Sequence, residues 1–85
     1  DAAMAMYEKA LLIEVKALGP DHASVGDTCY NMAELQAETE ANWSRALALY
    51  TQARDIYSAA YGADHAEVAD ANQQIARIAT LCAGM

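Results

Sequence analysis

The stretch Leu18-Gly19-Pro20-Asp21-His22-Ala23-Ser24-Val25 returns 43 residues later as Tyr61-Gly62-Ala63-Asp64-His65-Ala66-Glu67-Val68, and this recurrence decides how the 85-residue chain is built. The same offset pairs Ala3 with Ala46, Tyr7 with Tyr50, Ala10 with Ala53, Ile13 with Ile56, Asp27 with Asp70 and Ala33 with Ala76. The chain therefore consists of two copies of one unit. Self-similarity at a period of roughly 20–50 residues marks a solenoid, in which each unit buries its apolar face only against its neighbours.

Outward from the repeated stretch, the apolar spacing predicts four helices over about 2–18, 22–39, 43–61 and 65–82. In the first, Ala3, Tyr7, Ala10, Leu11 and Leu18 recur at three- and four-residue intervals and stop at Gly19-Pro20, a strong helix terminator. Met4, Met6, Leu12, Ile13 and Val15 spread around the rest of its circumference, so this helix needs neighbours on more than one side. The second carries Val25, Cys29, Met32, Ala33 and Gln36 on one face, with Asp21 or His22 as its cap. The third repeats the first through Ala46, Tyr50, Ala53, Ile56 and Tyr57 to Gly62. The fourth buries Val68, Ala71, Ile75, Ile78, Ala79 and Cys82, and its Asp64 and Glu67 have the spacing of a capping box. No segment alternates like a strand, which makes the fold class all-α: antiparallel helix hairpins in a single domain, 1–85, of about two 43-residue repeats. Ala10, Ala33, Ala46, Ala53 and Ala76 are expected where helices approach closely.

Composition narrows the functions. A net charge of −7 repels nucleic-acid phosphates and anionic membrane surfaces and suits a basic or neutral partner. No apolar run reaches the roughly 18 residues of a membrane span, and no signal-peptide pattern opens the chain, so the expected location is cytoplasmic. The chain starts at Asp1 inside a helical pattern and ends at Met85 soon after another, as an excised fragment would. Cys29 and Cys82 occupy non-equivalent repeat positions without metal spacing and are read as reduced thiols. The Asp-His pairs at 21–22 and 64–65 lack a third ligand and fall at helix starts, where capping and turn formation account for them. Neither a phosphate loop nor a nucleophile elbow occurs. No catalytic, cofactor-binding or metal-binding residue is assigned, and the chain is not expected to be an enzyme.

The residues quoted above resemble the tetratricopeptide repeat, in the long-period form found in kinesin light chains. Ala46, Leu49, Tyr50, Ala53 and Ile56 match its first block, as do Ala3, Met6, Tyr7, Ala10, Leu11 and Ile13 one repeat earlier. Leu18 to His22 with Val25 match the second block, and Asn31-Met32-Ala33 the third. The departures are Ala23 and Ala66 for proline, Gly26 for alanine, Gln74-Ile75-Ala76 for Asn-Leu-Ala, and a turn over 38–43 one residue longer than usual. The resemblance implies a tetratricopeptide-type solenoid with helices in B-A-B-A order. It also implies a protein-interaction scaffold whose A helices bind a peptide or partner segment on the concave face.

By that resemblance Asp27, Tyr30, Asn31, Glu34 and Glu38 of the second helix, and Asp70, Gln73, Gln74 and Arg77 of the fourth, face the groove. Asp27, Asn31, Glu34 and Glu38 lie on one side of their helix, and no Lys or Arg occurs between Lys16 and Arg45 to neutralise them. The expected partner is a protein or peptide with basic sequences favoured. The competing reading of this face is an ordinary solvated helix surface. Trp43, in the longer turn, is a candidate aromatic anchor. Two other roles stay open: self-assembly as a homodimer or helix-swapped pair through uncapped repeat ends, and a regulatory segment within a larger signalling or kinesin light chain-like protein.

Overall fold

A computed structural model of the chain describes residues 2–84; Asp1 and Met85, the ends of the expected domain, lie outside the described residues. Four helices follow in order: α1 (Ala2–Leu18), α2 (Ala23–Gln36), α3 (Trp43–Tyr61) and α4 (Ala66–Ala83). A 3-10 turn, Glu40–Asn42, precedes α3. Consecutive helices pack as hairpins, α1 on α2, α2 on α3 and α3 on α4, in a slab 40 × 34 × 13 Å. The described residues contain no strand, and the architecture is all-α and tetratricopeptide-like.

The duplicated stretch builds the two tight turns. Gly19 and Gly62 take positive φ, 93° and 99°, where a β-carbon is strained, and their amides return to the carbonyls of Val15 and Ser58 at 3.0 Å. Each following helix is capped by histidine: Nδ1 of His22 accepts from the Ser24 amide and Nδ1 of His65 from the Glu67 amide, both at 3.1 Å. These caps satisfy amides that the helix itself leaves without a partner. The expected capping box of Asp64 with Glu67 is therefore replaced: His65 is the N-cap, which puts Glu67 two positions from the cap, where its own amide donates the cap bond.

Helix α2 stops at Gln36, three residues short of the expected 39. The chain then turns through 37–39 into the 3-10 segment, with the Asn42 amide bonded to the Thr39 carbonyl at 2.9 Å. This absorbs the extra residue of the longer turn. Trp43 closes it, since its Nε1 donates to the Ala37 carbonyl at 3.1 Å and its ring is half-buried against Ala33, Ala46, Tyr50 and Ile78.

The core has two parts. Val25, Cys29, Ala53, Ile56, Tyr57, Val68 and Ala71 form one; Ala33, Ala46, Tyr50 and Ile78 form the other. Tyr30 packs against both. Cys29 and Cys82 are free thiols, and burial first, then the Glu14 carboxylate, pushes the Cys29 thiol up. Gly26 sits where α2 meets α3, and a β-carbon there would stand 2.9 Å from the Tyr57 ring. The departure from alanine at this position thus has a packing reason. Among the alanines expected at close approaches, Ala33, Ala46 and Ala53 are fully buried, Ala10 is half-buried and Ala76 is exposed. Ala79, expected in the core, is exposed too, while Ile75 and Cys82 are half-buried. These three sit on α4, whose packing partner is α3.

Candidate functional site

The candidate residues fall into three groups. Asn31 and Glu34 are exposed on α2 and Glu38 in the turn that follows it, and with Leu35 of α2 and Ala3 and Tyr7 of α1 they line a shallow open groove. Helix periodicity places Asn31 and Glu34 on one face; Glu38, expected on the same helix, lies two residues past its end because α2 stops at Gln36. Packing of α1 on α2 then adds the Tyr7 ring as the opposite wall, which sequence reasoning had assigned only to the repeat pattern.

The second group lies between α2 and α4 over Tyr50. The Tyr30 ring meets Tyr50 edge-on, with centroids 5.2 Å apart and planes at 76°. Burial, then a hydrogen bond to the Asp70 carboxylate, holds the Tyr30 hydroxyl well above the usual phenol range. Tyr50 is raised by burial and then by Glu34, against an opposing pull from the Arg77 guanidinium, which hydrogen-bonds it. Arg77 Nε also donates to Gln74 Oε1 at 3.0 Å. On α4, Asp70 therefore faces Tyr30 while Arg77, held by Gln74, faces Tyr50, and Gln73 is exposed.

Asp27 stands by itself in the third group. Its Oδ1 accepts the Tyr57 hydroxyl at 2.5 Å, so one carboxylate oxygen ties α2 to α3. Burial first, then this bond, pushes the Tyr57 phenol far up. Tyr50 and Tyr57 were legible as core residues but not as the polar partners of the wall. The signal available was the coincidence of buried position and hydroxyl, since a buried phenol needs an acceptor.

The electrostatics are uneven. On α2 and the turn after it the exposed charges are Asp27, Glu34 and Glu38, all negative, whereas on α4 the repeat mate of Glu34 is Arg77. The wall is acidic at the α1–α2 end and carries a cation at the α4 end. Nothing in it forms a nucleophile–base pair, and among the described residues no group of three His, Cys, Asp or Glu is arranged to hold a metal ion.

A family model, Tetratricopeptide repeat, matches residues 1–59, which takes in α1, α2 and most of α3. The chain belongs to the tetratricopeptide repeat family. Neither the curated proteins nor the solved structures contain a match to it. Tetratricopeptide repeats are generally non-catalytic protein-interaction scaffolds that bind proteins or peptides. Among the described residues no helix is long and apolar enough to cross a membrane.

Proposed function

We propose that this tetratricopeptide domain, acting over 1–85 as about two repeats of the kinesin light chain kind, captures an extended partner segment along the α2–α4 wall. On this reading the segment is basic where it passes α2 and carries an acidic residue near Arg77. The observation that carries the reading is the groove in which Asn31, Glu34 and Glu38 meet Tyr7. An amide able to pair with a peptide backbone, two carboxylates and an aromatic face stand within one side chain's reach there. Asp27 and Asp70 contribute field and rigidity, because tyrosine hydroxyls already engage them.

Fluorescence anisotropy with a labelled Lys-Ala alternating peptide tests this, with a Glu-Ala peptide as control. The Lys-Ala peptide should bind, weaken steeply between low and physiological salt, and lose at least about tenfold in affinity to Glu34→Lys/Glu38→Lys at unchanged helicity. Equal affinity of the double variant sinks the groove assignment.

A second reading is self-association, favoured by one observation: α1 exposes Met6, Leu12, Ile13 and Leu18. The equivalent side of α3 is covered by α2, whose pattern α4 repeats, so α4 of a second copy is the matching occupant. Light-scattering mass across a dilution series distinguishes a dimer from a monomer.

A further inference from the structure

The contact of α2 with α3 is made by residues whose repeat mates lie on α4 and α1, the last and first helices of the stack. On the α2 side Gly26, Cys29 and Ala33 are buried, and their mates on α4, Ala69, Asn72 and Ala76, are exposed. On the α3 side Ala53 and Ile56 are buried, and their mates on α1 are Ala10, half-buried, and Ile13, exposed. The chain thus presents at its two ends the two halves of a contact that it makes once in its interior.

The differences between mates compensate across that contact. Position 26 is glycine where a β-carbon would stand 2.9 Å from the Tyr57 ring. Its mate Ala69 carries the β-carbon, and the mate of Tyr57 is Glu14, which has no ring. Cys29, in the same apolar cluster as Tyr57, is matched by Asn72. An amide there can donate to the Glu14 carboxylate, which accepts the Thr28 hydroxyl through Oε1 and has further acceptor positions. Charge complements as well. Tyr50 on α3 is within electrostatic reach of Glu34 of α2 and Arg77 of α4. Its mate Tyr7 lines the groove with Glu34. An α4 seated on α1 as α2 sits on α3 brings Arg77, the mate of Glu34, to the other flank of Tyr7, so the acidic groove receives a cation.

We propose that copies of this chain associate head to tail, α4 of one seated on α1 of the next in the register of α2 on α3, with Asn72 on Glu14 and Arg77 across Tyr7 from Glu34. This rests on the self-association reading and specifies its geometry: the contact is heterologous, so each copy uses two different faces.

Complementary variants of the whole chain test it. Ile13→Glu spoils the α1 face and Ala76→Glu the α4 face; both positions are exposed in the single chain, so helicity should not change. In sedimentation equilibrium up to millimolar concentration, the natural chain should gain mass as it is concentrated. Each variant alone should keep the mass of one chain. Their equimolar mixture should reach twice that mass and stop, because it holds one intact face of each kind. Arg77→Glu should weaken the association of the natural chain about 2–10-fold, and Glu34→Arg/Arg77→Glu should restore it. Association of either variant alone, or a mixture that stays monomeric, overturns the head-to-tail contact while self-association stands. A natural chain that is monomeric at every concentration overturns both. If a variant loses helicity, mixing Met6→Glu with Ala69→Glu, exposed positions on the same two faces, decides it.

Discussion

Helices α1 and α3 carry one pattern 43 residues apart, yet Ile13 is 64% exposed and Ile56 only 6%. The contrast runs along both helices: Ala3 is exposed and Ala46 buried, Tyr7 half-buried and Tyr50 buried, Ala10 half-buried and Ala53 buried. Helix α3 lies between α2 and α4, whereas α1 packs against α2. Identical residues thus meet opposite fates because a repeat borrows half of its core from its neighbours. One position records the difference in residue type. Tyr57, buried and bonded to Asp27, corresponds to Glu14, which stays half-buried and accepts the Thr28 hydroxyl at 2.5 Å.

The strongest way to break this comparison is to truncate the paired isoleucines. Ile56→Ala should cost about 2–5 kcal/mol, enough to unfold a small domain of ordinary stability, while Ile13→Ala should stay within about 0.5 kcal/mol. Urea midpoints followed by helicity read both. A large loss at Ile13 would mean that α1 is covered in solution and would favour the self-associated form.

Overpacking probes the same contrast from the other direction. Ala53→Leu should cost about 1–3 kcal/mol, since Ala53 is fully buried among Val25, Cys29, Ile56 and Val68, and Ala10→Leu should cost less than half as much. Equal losses in thermal midpoint would show that α1 is packed as tightly as α3.

The smallest effect comes from the hydroxyl that distinguishes Tyr57 from Glu14. Tyr57→Phe should cost about 1 kcal/mol. It should also flatten the alkaline limb of stability. The folded chain holds the Tyr57 and Tyr30 phenolic protons above their ordinary value of 10.0, so the folded state binds more protons than the unfolded one as pH rises. Stability from these groups is fully present below about pH 10 and is lost as pH climbs beyond it. Urea midpoints between pH 8 and 11 should fall for the natural chain and fall less for Tyr57→Phe. An identical fall would remove the Tyr57–Asp27 bond as a source of stability.

Part of the candidate wall could be read before any coordinates, because helix periodicity alone sets Asn31 and Glu34 on one face, whereas Glu38 falls in the turn after α2. Tyr7 as the groove's other wall could not, since it is brought there by the packing of α1 on α2. The charge reversal from Glu34 to Arg77 was visible as a residue pair. That Arg77 reaches back to Tyr50 was not, because it depends on the distance between α3 and α4 rather than on any spacing along one helix.

By itself the sequence determined what short-range physics controls. The repeat of 43 residues, the helices, the glycine stops at 19 and 62 and the acidic face of α2 all follow from local dihedral preference and helix periodicity. Only the tertiary structure decided that Gly26 makes room for Tyr57 and that Ile13 is bare where Ile56 is covered. Each of these depends on which atoms from distant parts of the chain arrive within a few ångströms, and in a protein of repeated units the same residues are offered to different neighbours.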